Sequence, residues 1–144
     1  MAQDSLLILE VNEHISVECF EQLLSHILQH GERKTYRSKD NYNPYYRCRD
    51  FNIYLNPYYR PGQFDNRTRN KPSDYNEIVI YDPGKPIQYY TLRLVRQGDA
   101  QSREFPQVSD HSSVYLISWY DKDIHRVWES LLNNYLDDIR LLKP

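Results

Sequence analysis

Glycine is scarce in this chain. The 144 residues hold four, Gly31, Gly62, Gly84 and Gly98. No glycine-rich loop is therefore present to bring backbone amides against a phosphate, which disfavours the nucleotide-loop enzymes. Cysteine is scarcer still. Cys19 and Cys48 stand alone, outside any C-x-x-C or other metal-ligand spacing, and fit a reducing compartment better than a disulfide framework. Long apolar runs are missing too. Leu6-Leu7-Ile8-Leu9 is far short of a membrane span or a signal core, and Asp4 stands where a signal peptide would be basic. A soluble cytoplasmic protein with no membrane partner is expected. Without an export signal, the sequon Asn66-Arg67-Thr68 has no glycosylation to undergo.

What is abundant is tyrosine. It supplies 14 of the 20 aromatics, so much of the hydrophobic content carries a hydroxyl that needs a partner, and such surfaces bind more often than they fill cores. Leu, Ile, Val and Phe still make up 36 residues, enough for one core in a single domain spanning residues 1–144. The net charge of −2 conceals an asymmetry. Residues 32–72 carry ten Lys or Arg against four Asp or Glu, a net +6, and leave −8 to the remainder. The positive field is local.

The periodicities predict an α+β fold: a mainly antiparallel sheet of about five strands with an N-terminal and a long C-terminal amphipathic helix, in the order β-α-β-β-β-β-α. Residues 5–11 read as a short buried strand. Ser16 then caps a helix whose Phe20, Leu23, Leu24, Ile27 and Leu28 share one face, with Gly31 ending it in the left-handed conformation. Phe51, Ile53 and Leu55 alternate with Asn52 and Tyr54 as in a half-buried strand. Residues 77–81 and 87–96 flank the turn Asp82-Pro83-Gly84-Lys85-Pro86 as a hairpin. Its second strand turns Tyr90, Leu92 and Leu94 to the core and leaves Tyr89, Thr91 and Arg93 on a face able to bind. Residues 97–112 read as a polar loop, and Val114–Tyr120 as a strand apolar on both faces. From Asp121 or Asp123 onward, the stripe Ile124, Val127, Trp128, Leu131, Leu132, Tyr135, Leu136, Ile139 and Leu142 predicts one helix of about five turns.

Within the basic segment, residues 33–72, Pro44, Pro57, Pro61 and Pro72 forbid a long helix and predict extended, looped chain. Asn43-Pro44-Tyr45-Tyr46-Arg47 returns thirteen positions later as Asn56-Pro57-Tyr58-Tyr59-Arg60. Arginine forks grip phosphate and stack on bases, and tyrosine rings supply stacking platforms. The candidate ligand-binding residues are Tyr45, Tyr46, Arg47, Arg49, Tyr58, Tyr59, Arg60, Arg67 and Arg69, with RNA, DNA or a nucleotide as the expected partner and two equivalent Tyr-Arg subsites as the geometric idea. The same residues suit a protein interface, which makes a protein-binding regulator or inhibitor the alternative. A structural reading competes with both: Asn-Pro starts a turn, tyrosine hydroxyls satisfy backbone groups, and arginines pair with the acidic remainder.

Catalytic and metal signals are thin, so no cofactor and no catalytic residue is expected. His26 and His30 lie four apart on the first helix, but Cys19 is about 10.5 Å from His26 along the axis, too far to complete a zinc site. Ser109-Asp110-His111-Ser112-Ser113 places an acid, a base and hydroxyls side by side, whereas a working triad converges from separate elements. A metal-independent ribonuclease built on His111 or His125 with Arg and Tyr is the lesser alternative. Glu77, Asp82 and Lys85 resemble a metal-nuclease set only faintly, because Pro83-Gly84 and Pro86 break the strand such a site requires.

Overall fold

Two helical stripes and one row of strands share a single apolar core. The structure is a computed structural model and describes residues 7–35, 44–57, 71–85, 89–96, 112–118 and 121–140. Seven strands are described: β1 (Leu7–Glu10), β2 (Glu32–Thr35), β3 (Pro44–Cys48), β4 (Phe51–Pro57), β5 (Tyr75–Tyr81), β6 (Tyr89–Val95) and β7 (Ser113–Ser118). They form one antiparallel sheet in the order β1-β7-β6-β5-β4-β3-β2. From β2 to β7 each strand pairs with its successor, and β1 closes the far side against β7 with Leu9 opposite Leu116.

The α+β class stands, but five strands were too few. The two missed strands, β2 and β3, come from the basic segment expected to be looped. β2 is a sheet edge of Glu-Arg-Lys-Thr, whose charges suit an edge and erase any apolar alternation. β3 begins at Pro44, a position where a strand tolerates proline, and its consecutive tyrosines conceal the period of two.

Helix α1 (Val17–His30) starts as read, with Ser16 Oγ accepting a hydrogen bond from the Cys19 N–H at 3.1 Å. Phe20, Leu23, Leu24 and Ile27 are its buried face. Gly31 is not left-handed. Its φ of −70° and ψ of 143° are extended because β2 starts at the next residue. The reason for glycine is instead close approach: an added Cβ would lie 2.6 Å from the Ile27 carbonyl oxygen and 3.1 Å from Tyr46 Cβ.

The C-terminal stripe forms one unbroken helical run with a π turn inside it: α2 (Ile124–Leu131), the π turn (Leu132–Leu136) and α3 (Asp137–Arg140). Asp123 is the N-cap, accepting from the Arg126 N–H at 3.2 Å. Val127, Trp128, Leu131, Tyr135, Leu136 and Ile139 are buried; Leu142 lies outside the described residues.

Both helical regions bury their apolar faces with Ile53, Ile78, Ile80, Tyr90, Leu92, Leu94, Val114 and Leu116 of the sheet. Burying each such side chain contributes about 1.5–3 kcal/mol. Because strand side chains alternate, the residues between them lie on the sheet's other side, where Val95 and Ile117 make a small second cluster with Ile8 and Tyr115. Near the end of β4 the register slips, with Glu77 opposite Asn56 but Tyr75 opposite Pro57. This bulge returns Tyr75 to the helix-side core. No helix among the described residues is long and apolar enough to cross a membrane.

Candidate functional site

The sheet face away from the helices gathers the tyrosines. Register places Lys34, Tyr45, Tyr54, Val79, Thr91 and Ile117 in one cross-strand row. The neighbouring row runs Glu32, Arg47, Asn52, Tyr81, Tyr89. Directly opposed side chains on one face touch, and two tyrosine pairs result. Tyr81 and Tyr89 stack with centroids 5.0 Å apart and planes at 26°. Tyr45 and Tyr54 lie 5.7 Å apart at 34°. Tyr89 is 42% exposed, the one exposed large hydrophobic side chain among the described residues. Toward β7 the same face is closed, with Thr91, Val95 and Ile117 buried. On the β3–β6 side the described residues of this face are half-buried, with Tyr89 exposed.

Arg47 lies on this face and is held in place. Its Nε–H donates to the Arg49 carbonyl at 2.9 Å and its Nη1–H to Asn52 Oδ1 at 3.0 Å. At the β2 edge, Lys34 Nζ meets Glu32 Oε1 at 2.6 Å. The hydrogen bond and charge of each hold the Glu32 carboxyl below and the Lys34 ammonium above their ordinary pKa. A third row carries Asn56, Glu77 and Arg93. Glu77 is 9% exposed, accepts from Arg93 Nε at 2.7 Å and from Asn56 Nδ2 at 2.6 Å. Its charge is thereby compensated where water is scarce.

The sequence candidates part ways here. Tyr45 and Arg47 lie on this face. Tyr46, one residue from each, is 5% exposed and belongs to the core beside α1, where burial raises its phenol pKa. Arg49 turns the β3–β4 hairpin with a φ of 52° and reaches Asp138 Oδ1 at 3.4 Å. Tyr58, Tyr59, Arg60, Arg67 and Arg69 lie outside the described residues. Pro44 opens β3 and Asn56-Pro57 closes β4, so these residues lie at the same end of an antiparallel hairpin. The face adds Tyr54, Tyr81 and Tyr89. Alternation in β6 had already placed Tyr89 on this face. That Tyr81 stacks on it follows from strand register, which no local pattern encodes.

Other polar and aromatic contacts among the described residues tie elements together. On the helix side, the Tyr135 hydroxyl donates to Asp82 Oδ2 at 2.6 Å, and its ring meets Tyr90 at 4.9 Å and Phe51 at 5.1 Å. Burial, then this hydrogen bond, pushes the Tyr135 phenol well above its ordinary range. The same bond holds Asp82 low, helped by the Gly84 N–H at 2.8 Å. His26 and His30 touch edge to face with centroids 5.1 Å apart. Among the described residues no group of three or more His, Cys, Asp or Glu is placed to hold a metal ion. His125 is exposed and His111 lies outside the described residues. Burial pushes the Cys48 thiol up to about 11, so it is protonated and unreactive at neutral pH.

No family model, curated protein or solved structure matches this chain.

Proposed function

We propose that this chain is a non-catalytic binding protein that takes a nucleic acid or nucleotide on the tyrosine-bearing face of its sheet. The observation that carries the reading is the pairing of four tyrosines on the sheet face away from the helices, Tyr81 with Tyr89 and Tyr45 with Tyr54, beside a guanidinium fixed by Asn52. Aromatic contact with bases is sequence-tolerant because every base has a π-face, and arginine adds bidentate affinity for phosphate. Register places Lys34 and Arg47 on this face, within a segment, residues 32–57, that carries six Lys or Arg against three Asp or Glu.

The test is fluorescence anisotropy with short labelled single-stranded RNA and DNA at about 50 and 200 mM salt, where neutralising a few phosphates implies a loss of about tenfold or more. Salt-sensitive binding that is abolished in a Tyr81→Ala/Tyr89→Ala variant supports the reading. Absence of binding at both salts retires it in favour of the protein-binding alternative. That alternative predicts salt-tolerant capture of one protein, weakened most by loss of tyrosine.

A further inference from the structure

His26 and His30 stand in the last turns of α1, one helical repeat apart and therefore on one face. Their rings meet with centroids 5.1 Å apart and planes at 80°. Both side chains are half-buried, and among the described residues no hydrogen bond or ion pair engages either ring. Their nitrogens are not committed to the fold.

The separation of the rings decides what the pair can hold. A transition-metal ion bonded at about 2.0–2.1 Å to one nitrogen of each ring lies about 3.2 Å from each centroid, which sets the centroids roughly 5.2 Å apart at a tetrahedral angle and about 4.5 Å apart at a right angle. The observed 5.1 Å falls inside this window. Turning an imidazole about its Cβ–Cγ bond re-aims the nitrogens but leaves the centroid almost where it is, and that torsion is broad in histidine. The edge-to-face contact therefore converts to a chelate with no change in α1. The helix itself is fixed from its other side, by burial of Phe20, Leu23, Leu24 and Ile27.

Two imidazoles without a carboxylate suit zinc, copper or nickel, whereas magnesium and calcium take oxygen ligands. Position adds to this. His30 lies in the last turn of α1, where the helix dipole favours a cation. We propose that His26 and His30 form an open two-imidazole site for a divalent transition-metal ion of the zinc class, with water filling the remaining coordination positions. Cys19, about 10.5 Å from His26 along the axis, takes no part, so the site lacks the four protein ligands of a structural zinc centre. It is independent of the nucleic-acid reading.

The experiment titrates ZnCl₂ into the full, untagged chain by isothermal calorimetry and compares thermal midpoints with and without zinc. The variants are His26→Gln, His30→Gln and, as a control exposed on another helix, His125→Gln. Wild type is expected to bind zinc and to melt higher in its presence, because a chelate across one turn exists only in the folded helix. Removing a group that merely supports a metal ligand weakens affinity by about tenfold or more. His26→Gln and His30→Gln, which remove the ligands themselves, are each expected to weaken zinc by about that factor at least and to abolish the shift in their own midpoints, while His125→Gln keeps both. MgCl₂ at the same concentration should produce neither heat nor shift. Absence of zinc binding by wild type overturns the proposal, as does a loss in only one of the two single variants. Zinc binding of equal strength in a His26→Gln/His30→Gln double variant also overturns it, since that would be an adventitious ion only, held elsewhere on the chain.

Discussion

Arg49 holds a φ of 52°, a left-handed conformation that costs an ordinary L-residue roughly 1–2 kcal/mol. Its exposed ion pair with Asp138 returns at most about 1 kcal/mol. Asparagine tolerates this conformation, so Arg49→Asn should raise stability by up to about 1 kcal/mol in urea unfolding; a loss of stability would show that the ion pair outweighs the strain. Two tyrosines of the sheet differ in burial. Tyr46 is buried and Tyr89 is 42% exposed, so Tyr46→Ala should cost about 3–5 kcal/mol and Tyr89→Ala, which loses its stack on Tyr81, about 1 kcal/mol. The same pair of melts reports whether Tyr89 is kept for packing. A Tyr89 cost near that of Tyr46 would remove it from the binding face. Nothing in the identity of a tyrosine distinguishes these roles. Local alternation does so for β6, and fails for Tyr45-Tyr46, where both neighbours are the same residue.

At the scale of elements, the C-terminal helical region and the β5–β6 turn are tied by Tyr135 and Asp82. The tyrosine comes from the π turn and the aspartate from the residue after β5. Tyr135→Phe keeps the ring contacts with Phe51 and Tyr90 and removes the bond. It should cost about 1–2 kcal/mol at neutral pH, the lower part of the range for hydrogen bonds to charged groups because Asp82 is partly solvated. The pH dependence follows from the two directions. Asp82 is held below its ordinary pKa, so its contribution is complete above about pH 4 and lost as pH falls through the lowered folded value. Tyr135 is held above its ordinary value, so its contribution is complete below about pH 10 and lost as pH rises beyond it. Urea midpoints of wild type and Tyr135→Phe, followed from pH 7 to pH 3, should therefore converge on the acid side. A constant gap would mean that the lost hydroxyl acts through packing and not through the carboxylate. The apolar stripe announced this helical region, yet the π turn left no mark, since residues 124–140 contain no proline or glycine that would flag a break.

For the whole molecule, position in the sheet predicts local stability. β2 is an edge, and β5, β6 and β7 are paired on both sides, with Ile78, Ile80, Leu92, Leu94 and Leu116 fully buried beneath them. Amide hydrogen exchange should give protection near the global value for β5–β7 and much less for β2; equal protection would show that β2 is covered by a further partner. Pairing of β1 with β7 joins residues more than a hundred positions apart, a contact that no window of sequence contains. What the sequence by itself determined is the set of local decisions: α1 with its Ser16 cap, the apolar stripe after Asp123, the alternation in β4 and β6, and the basic, tyrosine-rich character of residues 32–72. These are legible because the periods of helix and strand act between neighbours a few residues apart. Only the tertiary structure decided that charged β2 and tyrosine-paired β3 join the sheet, that β1 sits beside β7, and that Tyr81 meets Tyr89 while Tyr45 meets Tyr54. Strand pairing and register are settled by burying one shared face across the whole sheet, and a pair of rings on the opposite face is placed by that same register without having specified it.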